Sequence, residues 1–106
     1  MMTKSMDKQQ QLLNLLGLAK RAGKIISGEE LVVKAIKNGQ AKLVFVASDA
    51  SANLIKKITD KSSYYEVTLA QNFSEIELSN AIGTHRKVIA IADNGFTKKM
   101  ESLMKM

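Results

Sequence analysis

The stretch "KLVFVAS", Lys42–Ser48, settles the fold class. Its centre is β-branched and aromatic, carries no polar residue and is too short to make a useful helix, the character of a strand covered on both faces. A second run of the same kind, "KVIAIAD", closes the chain's last strand-like segment at Lys87–Asp93. Strands buried on both faces need helices above and below them.

The flanking segments supply those helices. Upstream, Leu12, Leu15, Leu16 and Ala19 recur at helical spacing, which predicts a helix over about residues 6–22, with Ser5 as a possible cap and Gly23 as the residue just past its end. A short "KII" follows, then a helix from Gly28 to Asn38 that stops at Gly39. Downstream, Ser51 can cap a third helix bearing Leu54, Ile55 and Ile58. "YYEVTL", Tyr64–Leu69, reads as the next strand and "SEIELSNAI" as the next helix. "NGFTKKMESLMKM" makes a closing helix with Phe96, Met100, Leu103 and Met104 turned inward. With no proline, repeat or low-complexity linker, this alternation predicts one α/β domain over residues 1–106, a three-layer α/β/α sandwich around a mixed four-stranded sheet.

Charge narrows the partners. Sixteen Lys and Arg against ten Asp and Glu leave a net +6 over 106 residues, a bias toward polyanions. Catalysis has little material to work with, because His85 is the single histidine and cysteine is absent, so no nucleophile, base or metal cluster takes shape. "GLAKRAGK", Gly17–Lys24, has the wrong spacing for a phosphate loop, and Ile25 stands where Ser or Thr would hold magnesium. No catalytic residue, metal or cofactor is expected. The polar opening "MMTKSMDKQQQ" lacks the apolar core of a signal peptide, and no apolar run approaches a membrane span, which predicts a cytoplasmic protein without membrane contact.

Two adjacent acids, Glu29 and Glu30, stand out at the start of the second helix. Ser27 to Glu30 has the capping-box spacing, with Ile26 and Leu31 as its hydrophobic staple, and Ser74 to Glu77 repeats the device with Phe73 and Leu78. On this reading Glu30 holds the helix, while Glu29 is left to accept from a base. Leu31, Val32, Ala35 and Ile36 form the buried stripe, and Glu30, Lys34 and Lys37 form a second, polar one. Between the fourth helix and the last strand lies "GTHRK", whose His85, Arg86 and Lys87 are good phosphate donors. If loops gather at one end of the sheet, "ISGEE" and "GTHRK" lie side by side.

"SGEELVVKAIKNGQAKLVFVASDAS", Ser27–Ser51, followed by "LSNAIG", Leu78–Gly83, and an apolar strand, resembles the kink-turn-binding ribosomal protein family of the L7Ae and L30e kind. "LLGLAKRAGK" ahead of it and "DKSSYYEV" behind it bring the chain nearest to bacterial members. The resemblance implies a non-enzymatic RNA-binding protein, monomeric, whose partner is structured RNA with a kink-turn, ribosomal or otherwise, and extends to the ribosome. A protein-interaction module on the same fold is the alternative. Carried over by position, Gly28 gives the close backbone approach, Lys34 the basic residue of the second helix and Asp49 the acid after the following strand, with Thr84–Lys87 as the supporting loop. The full set expected to meet RNA is Lys24, Ser27, Gly28, Glu29, Glu30, Lys34, Lys37, Asp49, Thr84, His85, Arg86 and Lys87. The chain departs from the family pattern at Glu30 and Leu31, where strong binders carry Asn or Lys and then Glu or Gln.

Overall fold

The computed structural model describes residues 7–105 as nine elements. These are α1 Lys8–Arg21, β1 Ile25–Ser27, α2 Glu29–Lys37, β2 Leu43–Val46, α3 Ala52–Tyr64, β3 Thr68–Ala70, α4 Glu75–Ile82, β4 Val88–Ile91 and α5 Asn94–Lys105. The sheet runs in the order β1-β4-β2-β3, with β4 antiparallel to β1 and to β2, and β3 parallel to β2. The two apolar runs are therefore the two central strands, buried at every position.

Alternation along those strands makes the three layers. Leu43, Phe45, Ile89 and Ile91 point to a core shared with α1, α4 and α5, whereas Val44, Val46, Val88 and Ala90 point to one shared with α2 and α3. Phe45 meets Phe73 at a ring-centroid distance of 6.0 Å in the first core. Met100 of α5 is buried there, with Phe96, Leu103 and Met104 packed against it at the expected helical spacing.

Caps decide where elements begin and end. Ser51 accepts from the Leu54 N–H, and Ser74 and Glu77 form a complete capping box. Replacing Ser74 by Ala should lower stability by about 1 kcal/mol, read as a reduced melting temperature; an unchanged melt would show that Glu77 alone holds this helix start. The Ser5 cap lies outside the described residues, and α1 begins at Lys8, not residue 6, where the Asp7 carboxylate accepts from the Gln10 N–H. Gly23 and Gly39, both at positive φ, close α1 and α2. In each case the residue itself and the next one donate back to the last helical turn.

The expected strand over "YYEVTL" is the main correction to the element boundaries. Tyr64 ends α3 and Tyr65 is its C-cap, so β3 is confined to Thr68–Ala70. Glu66 takes φ 58, its N–H donates to the Ser63 carbonyl and that of Val67 to the Ser62 carbonyl, the same Schellman closure as at the glycines but on a glutamate. The Ser51 cap and the burial of Ile58 and Ser62 carry the helix through residues whose local preference is extended.

Candidate nucleic-acid interface

The strands fix which loops can meet. Since β1 and β2 run opposite to β4 and β3 runs with β2, the ends of β1, β2 and β3 and the start of β4 lie at one end of the sheet, called the upper end here. "ISGEE" and "GTHRK" do lie side by side, as the ends of an antiparallel pair: Ser27 is in register with Ile89, and the Gly28 N–H donates to the Val88 carbonyl at 3.1 Å.

Ser27 is not a helix cap. It is the last residue of β1, and its hydroxyl accepts from Arg86 Nε at 3.0 Å. Gly28 is the N-cap of α2, at φ 95 and ψ 147, and provides no side-chain cap. The capping box from Ser27 to Glu30 and the staple from Ile26 to Leu31 therefore do not form. Leu31, expected in the buried stripe, is 60% exposed, while Val32, Ala35 and Ile36 are buried. Because Gly28 has no side chain, the first-turn N–H groups of α2 carry the positive end of the helix dipole without a capping oxygen from that residue.

The two glutamates also change places. Glu29, expected to face a base, accepts from Lys57 Nζ of α3 at 2.8 Å, because α2 packs beside α3. Both side chains are about half exposed, so this pair contributes at most about 1 kcal/mol. Glu30, expected to close the box, is exposed and has no ion-pair or hydrogen-bond partner among the described residues.

The loop before β4 is held from three sides. The Ser79 hydroxyl of α4 accepts from the Arg86 N–H at 3.0 Å and donates to the Arg86 carbonyl at 3.1 Å. Arg86 Nη1 donates to the His85 carbonyl at 2.9 Å, and His85 Nε2 pairs with the Glu75 carboxylate at the start of α4. Lys87 is exposed, while its carbonyl accepts from the Ala47 N–H at 2.8 Å. Thr84 is half-buried and tied by its N–H to the Ser79 carbonyl. Asp49, after β2, accepts from the Glu75 N–H at 2.9 Å, so it fastens α4 to the same end of the sheet. The upper end thus gathers Ser27, Gly28, Glu29, Glu30, Asp49 and Thr84–Lys87 on one stitched surface, with Lys34 exposed one helical turn below Glu30.

Two expected members are elsewhere. Lys24 precedes β1 and its carbonyl accepts from the Ala92 N–H, which puts it at the lower end of the sheet. Lys37 is the last residue of α2, about 12 Å along the helix axis from Glu29. The pattern reading missed Glu75 and Ser79, whose roles come from packing α4 against the loop. It also missed Ile76, which is 70% exposed in the first turn of α4. Leu31 and Ile76 are thus exposed apolar residues in the first turns of α2 and α4, and Arg86, Lys87 and Lys34 supply cations near the same end of the sheet. Among the described residues there is no group of three or more His, Cys, Asp or Glu placed to hold a metal, and no helix long and apolar enough to cross a membrane.

Comparison with known proteins matches residues 10–101 to the model of the ribosomal protein L7Ae/L30e/S12e/Gadd45 family. The chain is similar to the RNA-binding protein YlxQ of Enterococcus faecium, 56% identical over 96 residues that cover 91% of this chain and 93% of that one. It is 50% identical to the RNA-binding protein YlxQ of Bacillus subtilis over 91 residues, covering 85% of this chain and 91% of the relative. A solved structure of a protein with unknown function from Bacillus halodurans superposes with a TM-score of 0.86 at 42% identity, covering 91% of this chain and 98% of that one.

Proposed function

The chain belongs to the ribosomal protein L7Ae/L30e/S12e/Gadd45 family, and from that premise we propose that it is a non-enzymatic, cytoplasmic RNA-binding protein of one domain that acts as a monomer on structured RNA of the kink-turn kind, ribosomal RNA included. The observation that carries this reading is the Arg86 Nε to Ser27 Oγ hydrogen bond, which fixes a basic loop against the uncapped N-terminus of α2. An RNA backbone laid across this junction meets donors from both sides: helix N–H groups from one, Arg86 and Lys87 from the other. Lys34 continues the positive track along α2. Glu30, exposed in the first turn of α2 and without a partner among the described residues, can accept from a guanine edge, the role the sequence suggested for Glu29. Leu31, where strong kink-turn binders have a polar residue, gives apolar contact to a base face instead of hydrogen bonds.

The deciding experiment is fluorescence anisotropy with a labelled kink-turn RNA and with the same RNA after its sheared G·A pairs are replaced. Preference for the first is expected, and equal binding to both overturns the kink-turn reading. Lys34→Ala should weaken binding about tenfold at low salt and reduce the slope of affinity against salt by roughly 0.7 to 0.9, the signature of one lost phosphate contact. An unchanged slope removes Lys34 from the backbone track. A protein-interaction module would bind its partner with far weaker salt dependence.

A further inference from the structure

Beyond the upper surface, we infer a second RNA contact at the opposite end of the same helices, a stacking platform for an unpaired strand made by Tyr64 and Tyr65. The rings lie edge to face with centroids 4.9 Å apart, Tyr64 is 79% exposed and Tyr65 40%. Tyr64 is more exposed than any other large hydrophobic residue among the described ones, Leu18, Leu31 and Ile76 included, and Tyr65 joins it at the surface. Neither ring belongs to either core, so packing does not explain them.

Their surroundings point to nucleic acid. β1 and β2 are parallel to each other, as are β2 and β3, so α2 and α3, the crossovers between them, both run from the upper end to the lower. The Glu29–Lys57 ion pair ties these two helices together. Lys37 is the last residue of α2 and Tyr65 the C-cap of α3, so both stand at the lower ends of these helices. Lys42, which enters β2 at this lower end, is held there by a bond from its Nζ to the Gly39 carbonyl, 2.9 Å, just past the end of α2. Lys61 lines a shallow recess with Asp60, Tyr64 and Tyr65. Of the carboxylates here, Asp60 is engaged by Lys56 at 2.9 Å and Glu66 keeps its charge at the turn, so Lys37, Lys42 and Lys61 outnumber it and leave a positive balance at this lower end. Aromatic faces beside ammonium groups bind unpaired bases and their phosphates without needing a sequence. Flexible lysines with no aligned acceptor set offer no such fit to a neutral apolar partner. An RNA held by its folded element at the upper end would present a flanking unpaired strand to this platform along α2 and α3.

The chain has two tyrosines and no tryptophan, so its intrinsic emission comes wholly from this pair. Titration with a short uridine-only RNA at low salt, corrected for absorbance with free uridine monophosphate, should quench that emission saturably. Tyr64→Leu/Tyr65→Leu should weaken binding of the labelled uridine RNA about tenfold, while a kink-turn RNA without unpaired flanks keeps its affinity. Binding with unchanged emission, no binding, or equal affinity of the double variant each overturns the inference. Failure of the proposed upper-end function would appear separately, as loss of preference among structured RNAs, with the quenching still present.

Discussion

Removing the Arg86 and Lys87 side chains together should lower affinity for a structured RNA roughly 100-fold, the combined scale of two charge-assisted contacts of about 1.5 kcal/mol each. Arg86 carries the larger part. Its guanidinium is half-buried, donates to the Ser27 hydroxyl and to the His85 carbonyl, and so keeps the loop before β4 against the start of α2. Truncation would free the loop as well as remove a cation, and Arg86→Ala should cost about 1 kcal/mol of stability, more than an ordinary surface change. Arg86→Lys separates the two contributions: it retains the charge and cannot reproduce the forked donation. If Arg86→Lys binds like the parent chain, the residue serves as a point charge and its bond to Ser27 does not position the site. If the double Ala variant binds like the parent, the upper end is not the RNA surface.

That site was only half legible in the sequence. "KLVFVAS" and "KVIAIAD" gave the central strands because composition alone distinguishes a strand covered on both faces. The second capping box, at Ser74–Glu77, was readable because all of its partners are local. The first was misread for the opposite reason. Ser27 has the right neighbours for a cap, but the pairing of β1 with β4 keeps it extended as a strand residue and gives its hydroxyl to Arg86, fifty-nine residues away. Glu29 likewise takes a partner from another helix, Lys57, and Leu31 stays exposed outside the stripe of Val32, Ala35 and Ile36. "YYEVTL" failed in the same way, its local β preference overridden by a helix whose buried face continues to Ser62. Lys24 and Lys37 looked like members of the first surface because sequence distance from Gly28 is short in both directions. Strand direction and helix length put them at the other end of the sheet.

Gly28→Ala should reduce both stability and RNA affinity, and the pairing of the two effects is what identifies the residue's role. At φ 95 and ψ 147 the backbone lies where a side chain is strained, and holding a non-glycine there costs about 1–3 kcal/mol. The strain comes from the backbone and not from crowding, since an added Cβ would meet Arg86 Nε at 3.8 Å, an ordinary contact. The chain can relieve it by rotating the peptide on either side of residue 28. Rotating the preceding peptide breaks the bond from the Gly28 N–H to the Val88 carbonyl, and rotating the following one breaks the first bond of α2, from the Val32 N–H to the Gly28 carbonyl. Either way the uncapped start of α2 swings relative to the basic loop, and the donors that would converge on one phosphate no longer do. The melting temperature should fall by several degrees or more, at about 4–8 °C per kcal/mol for a domain of this size, and affinity should fall at least tenfold when measured well below the new melt. Gly39→Ala is the matched control. Gly39 is also at positive φ, 85, with open space around it, but it closes the far end of α2. It should lose comparable stability and keep its affinity for the structured RNA. Equal affinity losses in the two variants would mean that binding tracks general stability, and the junction between Gly28 and Arg86 would then have no part of its own in recognition.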